Sequence, residues 1–105
     1  MRYKTPRHVR QYVKSELYEY KTNKRKLQEM SGSTNTRAII IATQRIEQIE
    51  TVLDSLNAED RQAAELIFFE KFSQAKAELY GIGKGAYYNA MNKIIYLTAK
   101  EMGLL

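Results

Sequence analysis

The stretch Gly81-Ile82-Gly83 constrains this chain most, because it sets one apolar residue between two glycines with a helical pattern on either side. Before it, SQAKAELY places Ala75, Ala77 and Leu79 at small or apolar positions of a short helix. Gly81 then falls where a helix end calls for positive φ. Ile82 offers one side chain for burial inside the turn. Gly83 stands at the cap of the next helix, a place that Ser or Asp would fill better. From Lys84 onward, Tyr87, Met91, Ile94, Ile95 and Thr98 recur at helical spacing and define one apolar face. Lys84, Gly85, Tyr88, Asn89, Asn92 and Lys93 occupy the other face. A short helix, a tight turn and a longer helix make a helix-turn-helix.

The polar face of the second helix has the chemistry of a DNA reader. Asparagine can pair both halves of its amide with adenine, and lysine can reach guanine or phosphate. Gly85, in the first turn, lets the backbone approach a phosphate at the helix end that favours anions. Tyr88 lies about 100° round the helix from the inward Tyr87, where it can meet a thymine methyl or a phosphate. An ordinary surface helix also has one apolar and one polar face. The pattern by itself leaves a plain helical pair open.

The residues from Leu56 onward also carry a family resemblance. LNAEDRQAAELIFFEKF is similar to the first helices of region four of housekeeping sigma factors, with a Leu-x-x-x-[DE]-R start and an apolar run behind it. SQAKAELYGIGKGAYYNAMNKI resembles the helix-turn-helix of that region, with Gly81-Ile82-Gly83 at the Gly-Ile-Ser turn. Lys84, Gly85, Tyr88, Asn89, Asn92 and Lys93 fall where the recognition helix of that family faces DNA. Gly83 replaces the family's serine, and two lysines stand where the family is richer in arginine. In length and layout the chain resembles small phage-encoded transcriptional regulators of the ArpU/RinA type. The resemblance implies duplex DNA as a partner, with RNA polymerase as a further candidate partner.

At 105 residues the chain has room for one small domain or for a domain with a helical extension. No segment alternates apolar and polar residues over the length of a strand, and there is a single proline. The expected fold class is all-α. No cysteine is present, which excludes a disulfide framework and a thiolate metal site. The start, MRYKTPRHVR, is basic without the apolar run of a signal peptide. The longest apolar run, Ala38 to Ala42, is far short of the ~20 residues of a membrane span. A cytoplasmic protein with no membrane partner is expected.

Charge is unevenly spread. Residues 1–37 carry ten Lys or Arg against three acids, a net of +7. Residues 38–72 carry three against seven, a net of −4, and residues 73–105 carry four against two, a net of +2. The basic density therefore lies at the N-terminus. Arg2, Lys4, Arg7 and Arg10 are candidate phosphate contacts, as an arm beside the helix-turn-helix. A basic helix that is solvated, or paired with the acidic helix of its own chain, fits the same charges.

In chain order, Thr5 is expected to cap a helix with Pro6 in its first position, running to Met30 with Val9, Val13, Leu17, Tyr20, Leu27 and Met30 as its stripe. Ser31 to Thr36 reads as a loop. A second helix, from Thr36 to Leu56, carries Ile39, Ala42, Ile46, Ile49, Leu53 and Leu56 as a coiled-coil seam widened by Ile40, Ile41 and Val52. The two helices form an antiparallel hairpin, and its wide apolar face makes a second copy of the chain a candidate partner. Residues 1–56 thus form a basic tail and hairpin, and residues 57–105 a three-helix domain. Asn57 or Ser55 caps the third helix, and Leu66, Ile67, Phe68, Phe69 and Phe72 form the core of that domain.

No catalytic constellation stands out, so an enzyme is not expected and no cofactor is implied. His8 has no acid or nucleophile at helical spacing, and Glu47, Glu50 and Asp54 form an acidic face without a histidine that would suggest metal. Gly81-Ile82-Gly83-Lys84-Gly85 lacks the preceding strand and the spacing of a P-loop. The expected function is regulation of transcription by binding duplex DNA, in a bacteriophage or prophage. Two alternatives stay open: a DNA-packaging recognition subunit of the small-terminase kind, and a helical protein that docks on a host protein without DNA.

Overall fold

The computed structural model describes residues 3–29 and 36–105. The fold is all-α, with no strand among the described residues. Its helices are α1 (Arg7–Tyr18), α2 (Tyr20–Glu29), α3 (Thr36–Ser55), α4 (Ala58–Ala64), α5 (Gln74–Glu78) and α6 (Lys84–Glu101). A π-helical turn, Glu65–Phe69, continues α4. Among the described residues no helix is long and apolar enough to cross a membrane. Arg2, Met30 and the loop read at residues 31–35 lie outside the described residues.

Helix α6 is the element the others surround, since α1, α3, α4 and α5 all pack against it. Tyr87, Met91, Ile94, Ile95 and Thr98 are buried, as the spacing predicts, together with Ala90, Ala99 and Met102. The Thr98 hydroxyl among them is satisfied locally, donating to the Ile94 carbonyl at 2.7 Å.

The long first helix expected from the sequence is bent into two. At Glu19 the backbone relaxes to φ −93°, ψ 3°, although the Glu19 amide still reaches the Ser15 carbonyl and the Asn23 amide reaches that of Glu19. No proline or glycine sits there. The bend turns the apolar stripe from one partner to another: α1 packs on α6 and the π turn, while α2 packs on α3. The helix also starts one residue later than expected. Pro6 is the cap residue and its carbonyl accepts the Arg10 amide at 2.8 Å, whereas Thr5 Oγ1 is buried without a hydrogen-bond partner.

Helices α2 and α3 run antiparallel, with Tyr20 beside Ile49 and Glu50, and Leu27 beside Ala38 and Ile41. The Tyr20 hydroxyl donates to Glu50 Oε2 at 2.7 Å and the Lys24 ammonium reaches the same oxygen at 2.5 Å. Lys24 and Tyr20 together hold the Glu50 carboxyl below the usual carboxylate range. Burial, with the Glu50 bond adding to it, pushes the Tyr20 phenol up. Of the α3 seam, Ile46, Ile49 and Leu53 are buried, whereas Ile39, Ala42 and Leu56 are half-buried. Ile40 and Ile41 face outward, 60% and 51% exposed.

Asn57, rather than Ser55, caps α4: its side chain accepts the Asp60 amide at 2.7 Å, and the Ser55 hydroxyl instead donates back to the Val52 carbonyl at 2.6 Å. After Ala64 the helix widens, and the Glu70 amide bonds the Glu65 carbonyl at 2.8 Å. This turn seats Ile67 and Phe68 in the interior with no exposure. The Tyr18 and Phe68 ring centroids lie 5.4 Å apart, and those of Tyr20 and Phe69 5.0 Å. Leu66, Phe69 and Phe72 are half-buried around them. The buried residues form one cluster from Val9 to Met102 that draws on all six helices and the π turn. The boundary placed at residue 56 falls between α3 and α4.

Phe68→Ala is expected to cost about 3–5 kcal/mol in urea unfolding, because it empties a site with no exposure. Glu50→Gln is expected to lower stability at neutral pH. The folded carboxyl titrates below its unfolded value, so its contribution is complete above about pH 4.3 and is lost as pH falls through the lowered folded value. Urea midpoints of parent and variant should therefore converge on acidification.

Candidate nucleic-acid interface

The bend between α5 and α6 is closed by backbone bonds that only one chain path allows. Ser73 caps α5 by accepting the Lys76 amide at 3.2 Å. At the other end the Gly81 amide donates to the Glu78 carbonyl and the Ile82 amide to the Ala77 carbonyl, each at 3.1 Å. This pair is a Schellman closure, and it requires the left-handed φ of +87° that Gly81 adopts. Ile82, half-buried, packs on the core cluster, and Ala77 beneath it is fully buried. Gly83 follows with extended backbone, φ −66° and ψ 164°, and caps α6 without a side-chain bond. The Tyr87 hydroxyl donates to the Phe72 carbonyl at 2.9 Å, fastening the first turns of α6 to the segment before α5. Burial pushes the Tyr87 phenol up.

The first two turns of α6 therefore stand clear. Lys84, Gly85, Tyr88 and Asn89 are exposed, with Tyr88 at 45%. A Cβ at Gly85 would meet nothing within 4 Å, so the backbone there is open to a close approach. Ala86 is exposed on the same face. Its small apolar side chain gave no signal beside the asparagines.

Farther along, the polar face is engaged by the chain itself. Asn92 is half-buried, and its Oδ1 accepts Arg10 Nη1 at 2.7 Å. A guanidinium has donors only, so the bond fixes which end of the amide faces α1. Arg10 Nη2 also lies 3.7 Å from Met91 Sδ. With its oxygen so held, Asn92 does not present both halves of its amide outward, and the two-point adenine contact falls to Asn89. Lys93 is half-buried and paired with Asp60 at 2.7 Å, a bond that raises the lysine above its usual range. Arg7 is exposed on α1, and Lys4 in the segment before it. Tyr3 reaches over to α6, its ring 5.4 Å from that of Tyr96. An open cleft between Tyr3, Asp60, Ala86, Asn89 and Lys93 runs along this face.

The arrangement offers an amide at Asn89, one small methyl-bearing side chain at Ala86 and a cation at Lys84 around one helix end. Among the described residues no group of three or more His, Cys, Asp or Glu side chains converges as a metal site needs. The chain matches no family model, no curated protein and no solved structure.

Two glycines close together should respond oppositely to alanine. Gly81→Ala forces a Cβ into positive φ and is expected to destabilise by about 1 kcal/mol or more. Gly85→Ala has helical backbone and open space, and is expected to stabilise by a few tenths up to about 1 kcal/mol. Urea unfolding of the two variants measures both signs.

Proposed function

We propose that this protein binds duplex DNA by setting the N-terminal turns of α6 in the major groove, and regulates transcription. The observation that carries this reading is the Schellman-closed bend, which leaves Lys84, Gly85, Tyr88 and Asn89 exposed at the start of a helix whose opposite face is the core. A helix-turn-helix reads base edges with that end of its second helix. Asn89 supplies the amide for adenine, Lys84 a cation for guanine or phosphate, and Tyr88 and Ala86 apolar surface for a thymine methyl. The likeness of residues 56–105 to sigma region four, and of the whole layout to small phage regulators, supports the same reading and makes RNA polymerase a candidate partner.

A second reading, docking on a protein without DNA, is favoured by the engagement of Asn92 and Lys93 within the molecule. Selection of bound fragments from random and phage genomic DNA separates the two. The DNA reading expects an enriched motif that Lys84→Ala plus Asn89→Ala weakens, with each lost base contact costing about 1–3 kcal/mol. Recovery of no enriched sequence from the parent protein would leave only the docking reading.

A further inference from the structure

We propose that α1 is a second DNA-contacting element, a rigid basic rail whose Arg7, Arg10 and Lys14 grip the phosphate strand bordering the groove that α6 enters. The inference rests on α6 being the reader. Arg7, Arg10 and Lys14 follow one another at spacings of three and four and so form one row along α1. Glu16, the one acid in this helix, lies about 150° round from that row at 100° per residue. It faces the groove against α3 instead, together with Tyr12 and Arg45. The Lys14 ammonium rests over the Tyr18 ring at 5.8 Å, and Tyr18 packs on Phe68. That seat holds the lysine along the row.

The row is aligned with the reader by contacts along its length. Tyr3 meets Tyr96, and Arg10 meets Asn92 and Met91. Helix α1 thus runs antiparallel to α6, flank to flank. Packed helices have axes roughly 8–10 Å apart, and the major groove is about 12 Å wide. Two helices side by side therefore cannot share the groove floor. If α6 occupies it, α1 meets the wall, which is sugar and phosphate. From Arg7 to Lys14 the rail spans roughly 10.5 Å at 1.5 Å per residue, before the length of the side chains is added. It has the reach for more than one phosphate.

The rail also answers a shortage on α6. That helix exposes Lys84 at its start and Lys100 only in its last turn, Lys93 is already paired with Asp60, and no arginine is present on it. Helix α1 brings two arginines and a lysine to the same side. The Arg10–Asn92 bond ties this grip to the reading face, so phosphate register and base register are set together.

The test measures affinity by fluorescence anisotropy across a salt series, on a duplex carrying the selected motif and on a scrambled duplex. Arg7→Gln plus Lys14→Gln should make the slope of log K against log salt shallower by nearly 2, about 0.9 for each lost phosphate contact. The preference for the motif over the scrambled duplex should stay at the parent level. Arg7→Lys plus Lys14→Arg keeps the charges and should keep the parent slope, and thermal melting reports whether each variant is folded. A glutamine variant that melts like the parent and keeps its slope overturns the rail while leaving the reader standing. A parent protein that binds neither duplex at about 50 mM salt overturns both.

Discussion

Helix α6 must bury a continuous apolar face from Tyr87 to Met102, and no single neighbour is wide enough to cover it. Four helices close around it, and their positions follow from that demand. Helix α1 takes one flank, α3 and α4 take the core side, and α5 covers the beginning. What stays uncovered is a strip on the first two turns. The strip is exposed because the remainder of the helix is so fully committed. A surface helix held by one neighbour would have no comparable reason to present one fixed edge.

The local geometry of that edge was legible in the sequence because it depends on residues close in the chain. Gly81 takes positive φ, Gly83 caps the helix, and Tyr87 turns inward while Tyr88 turns outward, all within one bend. The bend at Glu19 was not legible, since neither proline nor glycine marks it and only the separate partners of α1 and α2 call for it. The wide turn at Glu65–Phe69 was hidden for a related reason: neither proline nor glycine marks ELIFF, and an unbroken apolar run carries no period in which an extra residue would show. The Arg10–Asn92 bond joins residues 82 apart, and the Lys93–Asp60 pair residues 33 apart. No pattern within a single helix contains such information.

The uneven charge of the chain resolves into partnerships in the fold. Lys21 meets Glu65, Lys24 meets Glu50 and Lys93 meets Asp60, so acids of the middle segment draw bases from both ends. Ion pairs near the surface orient helices more than they hold them. Hydrophobic burial carries the stability, and the ion pairs choose among ways of arranging it. Arg7, Arg10 and Lys14 stay outside these ion pairs, along one flank of a helix whose inner side is locked into the core by Val9, Val13 and Leu17.

The widened turn after α4 holds more backbone per revolution than the helix it interrupts. Wound as an ordinary helix, the same residues Glu65–Phe69 would leave everything beyond them rotated by up to about 100°. Ile67 and Phe68 would leave the interior together, and the segment leading to α5 would set off in a new direction. The wide turn therefore absorbs one residue and acts as a phase setting for the C-terminal half.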